Sequence, residues 1–212
     1  MDPQAIPMIK GFIILSYFLA GISFLEFYFM RHRKKIGDTK ESLANFSIWV
    51  LNRPIKLFLT SGITLSMFMF FNKYAIYAIP VNGWTIALTV VAADFTYYWK
   101  HRVSHEVRGL WSYHSVHHSS QEFNLSTAIR LPFYGVFTGG LFYIPALLVG
   151  FDPVILLVSK FSVLIYQYWV HTEMIGKLGW FDKLFNSPFN HRVHHGSNPQ
   201  YIDKNHAGIF MI

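Results

Sequence analysis

His114-Ser115-Val116-His117-His118 recurs as His191-Arg192-Val193-His194-His195, so the pattern H-x-x-H-H appears twice. Residues three and four apart share one face of an α-helix. Each triplet therefore presents a wall of imidazole if its segment is helical. His101-x-x-x-His105, just upstream of the first triplet, has the same helical spacing. These are eight of the eleven histidines. One metal ion takes three or four protein ligands, so the set is enough for about two. Adjacent histidines in a triplet can serve different metals or flank one. The reading is an all-α chain with a histidine-rich dimetal site between short helices.

Composition places those helices at a membrane. The chain has 212 residues, 52% hydrophobic and 18% aromatic, with 14% charged. Soluble domains carry about 25% charged residues. Cysteine is absent, which removes disulfides and thiolate ligands. Imidazole and oxygen suit iron, zinc, copper or nickel, and iron–sulfur chemistry is excluded. The net charge is +7, but the basic residues flank apolar segments, as in Arg31-His32-Arg33-Lys34-Lys35. That is the pattern of a cytoplasmic membrane flank meeting anionic lipid, not of a nucleic-acid surface.

About four to five membrane segments are expected. The first runs from about Ile9 to Met30, long enough to span, with its strong charge after it rather than before, unlike a cleaved signal. The second runs from Ile55 to Ile79, with Asn82-Gly83 as a turn. The third runs from Trp84 to Trp99 and contains Asp94. The last two, Leu131 to Val149 and Val154 to Val170, form a hairpin about Gly150-Phe151-Asp152-Pro153. If the first segment runs outside to inside, fifteen of the eighteen Lys and Arg fall on the inner side, as the positive-inside rule requires. All the histidine clusters then meet on one, cytoplasmic, face. The expected organisation is a membrane anchor over 1–83 and a catalytic domain over 84–212.

Other candidates follow from position. His171 ends the fifth segment and is expected as a ligand; Gln167 shares its face. His32 reads as a solvated charge or headgroup contact. His206 reads as an orienting or structural residue. Asp94 is costly in an apolar span unless it faces a polar interior, and is expected to accept a hydrogen bond from a metal-bound histidine. Glu106 is expected as an orienting acceptor, a proton relay or a ligand. Asn124 and Asp203 are looser candidates of the same kind. Glu26 lies mid-span, and its sequence position leaves open whether it snorkels or lines a substrate cleft.

Rival readings are a zinc-dependent membrane hydrolase, a metal transporter and a haem electron carrier. A transporter predicts ligands within several spans. Axial haem ligation takes one histidine per face, which the triplets do not suit. A hydrolase needs fewer ligands and an obvious general base. His105-Glu106 is not a zinc-protease H-E-x-x-H, because Gly109 stands where its second histidine would fall.

The motifs resemble the fatty acid hydroxylase superfamily, also called the sterol desaturase family. They are Asp94-x-x-Tyr97-Tyr98-x-x-His101-Arg102-x-x-His105, Trp111-x-x-His114-x-x-His117-His118-Ser119, Asn124-x-x-Thr127-Ala128-x-Arg130, Trp169-x-His171-Thr172, His191-Arg192-Val193-His194-His195-Gly196 and Tyr201-Ile202-Asp203-Lys204-Asn205. Asn124–Ala128 and Trp169–Glu173 look most like its alkylglycerol monooxygenase branch and bacterial relatives. The resemblance implies a cytosolic helical cap with a non-haem di-iron centre, which zinc can occupy in a purified sample. It implies His101, His105, His114, His117, His118, His171, His191, His194 and His195 as ligands. It also implies O₂-dependent hydroxylation or desaturation of a lipid such as an ether lipid or sterol. The electrons would come from a pterin, ferredoxin or cytochrome. Two departures stand out: Gln167 replaces a histidine found in some relatives, and His206-Ala207-Gly208 replaces the usual Tyr-Gly after Asn205. The family pattern continues past the position of Ile212, so a C-terminal truncation is expected.

Overall fold

The computed structural model describes residues 5–34, 38–132 and 135–212; Lys35 of the basic run lies outside them. The described residues are helical, with one isolated bridge between Phe185 and Phe210. α1 (Ala5–Phe29) runs through a π-helical turn into the basic run. α2 (Thr39–Phe58) and α3 (Leu65–Asn72) are joined by a second π-helical segment. α4 (Gly83–Glu106) is followed after one residue by α5 (Arg108–His118). Then come the short α6 (Leu125–Ile129), α7 (Gly135–Leu141) and α8 (Ile144–Val149). α9 (Pro153–Trp169), α10 (Phe181–Leu184) and α11 (Pro188–His194) complete the order.

Local chemistry sets these boundaries. Asn82 is the N-cap of α4: its side chain accepts from Trp84 N and Thr85 N at 3.0 and 3.1 Å, and Thr85 Oγ1 accepts from Asn82 N. Such caps satisfy amides that have no partner within the helix. Gly150 ends α8 in the left-handed region (φ 117°), where a Cβ would also strike the Tyr77 carbonyl. Asp152 then caps α9, with Pro153 in its first turn. The predicted Gly-Phe-Asp-Pro turn is thus a helix stop followed at once by a helix start.

α4 packs along α9, and α3 and α8 close the far end. The core there is Phe68, Ala93, Tyr143, Leu147, Phe151, Leu156, Leu157 and Val163. α1 packs on α6, and Tyr168 Oη on α9 joins it through Leu19 O (2.6 Å) and Ser23 Oγ (2.8 Å). Buried Glu26 on α1 accepts from Leu125 N at the start of α6 (2.6 Å) and from the Thr172 hydroxyl. Arg130 bonds Glu41 and Asn45 on α2, Val116 O on α5 and Ser119 Oγ just after it, all at 2.8–2.9 Å. α1 and α2 therefore brace the segments next to the histidines, through Glu26, Glu41 and Asn45.

Among the described residues, one segment, Ile13–His32, is long and apolar enough to cross a membrane, with mean hydropathy 1.8 over 20 residues. The other apolar helices are shorter: Gly62–Asn72, Phe137–Val149 and Pro153–Trp169. α4 has the length but carries Asp94, Lys100 and Arg102. Its outer face shows an apolar stripe, with Trp84, Leu88, Val91, Phe95 and Trp99 all exposed.

Candidate metal centre

α4 runs beyond its apolar part and carries His101 and His105 to its C-terminal end. α5 and α11 lie across that end, and His171 follows α9. Five imidazoles (His101, His105, His114, His118, His194) form one cluster and four (His117, His171, His191, His195) a second. Within each, one potential ligand atom per residue lies within 4.8 Å of all the others. Each H-x-x-H-H triplet is divided between them. Adjacent residues lie about 100° apart around a helix, so His117 and His118 face different clusters, as do His194 and His195.

The Nε2 atoms converge. His118 Nε2 is 3.2 Å from His114 Nε2 and 3.1 Å from His194 Nε2. His171 Nε2 is the hub of the second cluster, 3.1 Å from His117, 3.0 Å from His191 and 3.2 Å from His195. Nitrogens bound to one ion at about 2.1 Å stand roughly 3.0–3.4 Å apart.

Four tautomers are fixed by partners that can only accept. The Nδ1–H of His101 donates to His206 O (3.2 Å), and that of His194 to Lys204 O (3.0 Å). His105 Nδ1–H donates to Asp203 Oδ1 (3.1 Å), and His171 Nδ1–H to Gln167 O (2.6 Å). Their Nε2 atoms are left with lone pairs aimed inward. The Nε2 atoms of His101 and His105 are buried without a hydrogen-bond partner. Unpaired buried acceptors are costly, and a cation among them satisfies the set. The residues fit a bound metal in each cluster.

Burial pushes these imidazoles well below their ordinary pKa, and neighbouring histidines push most of them further. His171 falls to about 4, chiefly through burial and against the opposing effect of the Gln167 carbonyl. His105 and His118 shift the same way, also chiefly through burial. The groups are neutral at pH 7, the state that binds metal. Trp111 covers the first cluster, with ring centroids 5.0 Å from His105 and 5.5 Å from His118. Phe123 covers the second, 5.1 Å from His195 and 5.6 Å from His171.

Three of the four expected supporting residues lie elsewhere. Asp94 is fully buried, but its carboxylate accepts from Ile209 N and Phe210 N, not from an imidazole. The 208–210 segment passes directly against it and takes both oxygens. Asn124 caps α6: its Oδ1 accepts from Ser126 N and Ser126 Oγ, which leaves no reach toward a histidine. Glu106 is half-exposed and paired with Arg102 at 2.8 Å, outside both clusters. Asp203 alone touches an imidazole, that of His105. His206 is buried, its carbonyl orients His101, and its side chain forms a group with His105 and Asp203. The residues missed from sequence are the carbonyls of Gln167, Lys204 and His206, which carry no side-chain signal. The aromatic covers, Trp111 and Phe123, were also missed as such.

Among the described residues, a helical arrangement with two adjacent imidazole clusters that could each hold a metal ion defines a candidate histidine-rich metal-binding protein. Residues 86–212, more than half of the chain, match the fatty acid hydroxylase family model. The chain belongs to the fatty acid hydroxylase family, whose members are metal-dependent membrane proteins. It is 39% identical to alkylglycerol monooxygenase of Homo sapiens over 180 residues, 84% of this chain and 40% of the relative. It is 37% identical to the Danio rerio protein of that name over 211 residues, 99% of this chain and 45% of the relative. Ornithine lipid hydroxylase OlsE of Rhizobium tropici is 32% identical over 112 residues, 52% of this chain and 34% of the relative. The chain spans less than half the length of these curated relatives. No solved structure matches.

Proposed function

We propose that the chain carries the catalytic centre of a membrane-bound lipid monooxygenase using two irons. The observation behind this reading is the pair of convergent imidazole clusters, each built from both triplets. His101, His105, His114, His118 and His194 would hold one ion; His117, His171, His191 and His195 the other. Bound iron would supply the activation of O₂. The net reaction takes a C–H bond, O₂, two electrons and two protons to an alcohol and water. An external reductant, a pterin, ferredoxin or cytochrome, would deliver the electrons.

The chain's own residues hold and shield this centre. Trp111 and Phe123 limit water on either side. Asp203 and the three carbonyls fix imidazole orientation. α1 and the stripe on α4 face lipid, with Trp84 and Trp99 at its ends as interfacial rings. The multi-pass arrangement with a cytoplasmic centre draws support from the fifteen inner Lys and Arg. A span shorter than the bilayer is accommodated by thinning and by snorkelling flanks. The substrate class is a bilayer lipid. The names of the relatives favour an ether lipid, in which hydroxylation beside the ether oxygen gives a hemiacetal that collapses to aldehyde and alcohol.

The test is metal content of detergent-purified protein, with O₂ uptake after anaerobic Fe²⁺ loading in the presence of an alkylglycerol and a reductant. About two irons per chain with an oxygenated product supports the reading. Tight zinc with no O₂ chemistry after Fe²⁺ loading would sink it and favour a hydrolase.

A further inference from the structure

Three of the four fixed tautomers depend on one short segment. Asp203, Lys204 and His206 supply the acceptors for His105, His194 and His101, all in the first cluster. Asp203 and Asn205 both adopt φ 55°, in the left-handed region. Asp and Asn enter that region more readily than other non-glycine residues. This backbone turns the 204 and 206 carbonyls inward.

The segment does not hold that shape alone. Downstream, Asp94 accepts from Ile209 N and Phe210 N. Gln167 Nε2 donates to Gly208 O at 2.5 Å and to Ala207 O at 3.4 Å. Asn186 Nδ2 donates to Ala207 O at 3.0 Å, and Asn186 N to Ile209 O at 2.8 Å. Gly208 lies so close to Asp94 that a Cβ would come within 2.0 Å of Oδ1. Residues 203–210 thus form a strap, clamped at one end and presenting three acceptors at the other.

Gln167 has a second contact. Its main-chain carbonyl accepts from His171 Nδ1, the hub of the second cluster. One residue therefore serves the second cluster through its backbone and the first through its side chain.

We propose that Gln167 and Asp94 are positioning residues of the first metal site, acting through the 203–210 strap. The proposal rests on the reading that both clusters hold metal. Replacing the Gln167 side chain removes the strap contact but keeps the carbonyl on His171. Loss of either anchor therefore weakens one site and spares the other. Residues that orient metal-bound histidines are worth roughly 10- to 100-fold in metal affinity.

The experiment titrates the metal-free, detergent-solubilised chain anaerobically with Co²⁺ and follows the visible d–d bands. His114→Ala and His195→Ala identify the bands of the second and first sites that each leaves intact. Gln167→Ala and Asp94→Asn are expected to keep the second-site band at unchanged affinity. Their first-site affinity should fall roughly 10- to 100-fold. Asp152→Ala, which removes the α9 cap, should lower thermal stability and keep both bands. Unchanged affinities at both sites would overturn the proposal. So would equal weakening of both, or the same selective loss in Asp152→Ala. If Gln167→Ala does not fold, Asp94→Asn decides, since it preserves shape and one acceptor. A wild-type chain that takes up no Co²⁺ would instead remove the metal reading itself, and this proposal with it.

Discussion

The two imidazole clusters are made from the same motif and supported by different means. The first has five imidazoles, three of them oriented by a strap more than ninety residues away in sequence from His101 and His105. The second has four, with one oriented by the last turn of α9. In the second cluster, Nδ1 of His191 is buried without a partner. The first is therefore the more fully preorganised, and its order depends on long-range contacts. The second depends on helix ends and has four imidazoles rather than five, so a metal bound there would leave more positions open to an exogenous group.

Removing a hub imidazole should separate the clusters most sharply. His171→Ala is expected to cost the second site more than about 100-fold in affinity, exceeding the loss of an orienting group, and to abolish lipid oxidation. The first site should still take one equivalent of metal in a titration. His101→Ala should give the reverse. Loss of both equivalents from either variant would show that the clusters form one cooperative unit. Next in size is Gly208→Ala, where a methyl meets the Asp94 carboxylate at 2.0 Å. Overpacking of this kind costs about 1–3 kcal/mol, read as a lower unfolding midpoint. Because the strap must move, the first site should weaken with it.

The helical spacing of the histidines made the all-α class and the two-metal arithmetic legible from sequence. It left open which triplet member joins which cluster, because that depends on how α5 and α11 cross, not on spacing within either. Asp94 is expected from sequence to accept from a metal-bound histidine, whereas its buried carboxylate accepts from Ile209 N and Phe210 N. Its partner was not legible: Ile209 and Phe210 are distant in sequence, and backbone amides leave no side-chain trace. Asn124 is expected from sequence as a supporting residue of the site, and in the structure it is the N-cap of α6. The segment from Leu131 to Val149 reads as a single apolar run, yet α7 ends at Leu141 and α8 begins at Ile144. Gly139 and Gly140 weaken the helix there. Sequence leaves the role of Glu26 open because its partners are an amide of α6 and a hydroxyl beyond α9.

Acid should weaken the metal-free fold through residues near both clusters. Folded, His171 and His206 titrate near about 4; the ordinary value is 6.5. As pH falls below 6.5 the unfolded chain binds protons that the folded chain does not, so the equilibrium shifts toward unfolding. Stability from these groups is full above pH 6.5 and is lost as the pH drops toward 4. The unfolding midpoint of metal-free protein should be level above 6.5 and decline below it. A midpoint that rose on acidification would mean that the imidazoles are not buried in neutral form.

Glu106 gives the smallest expected effect on stability and the cleanest separation of structure from chemistry. It is half-exposed, four residues after Arg102, and paired with it on the outer face of α4. Exposed pairs of this geometry contribute little, because water screens them. Glu106→Gln should therefore change the unfolding midpoint little and leave both metal equivalents bound. Its neighbour His105 belongs to the first cluster, so the side chain is close to the centre in sequence without touching it. If Glu106→Gln keeps both metals but loses turnover, Glu106 acts on substrate or protons, and the first cluster gains a catalytic task that the second lacks. If turnover is unchanged, the clusters differ in the number of their imidazoles and in how these are held, and Glu106 has no part in the chemistry.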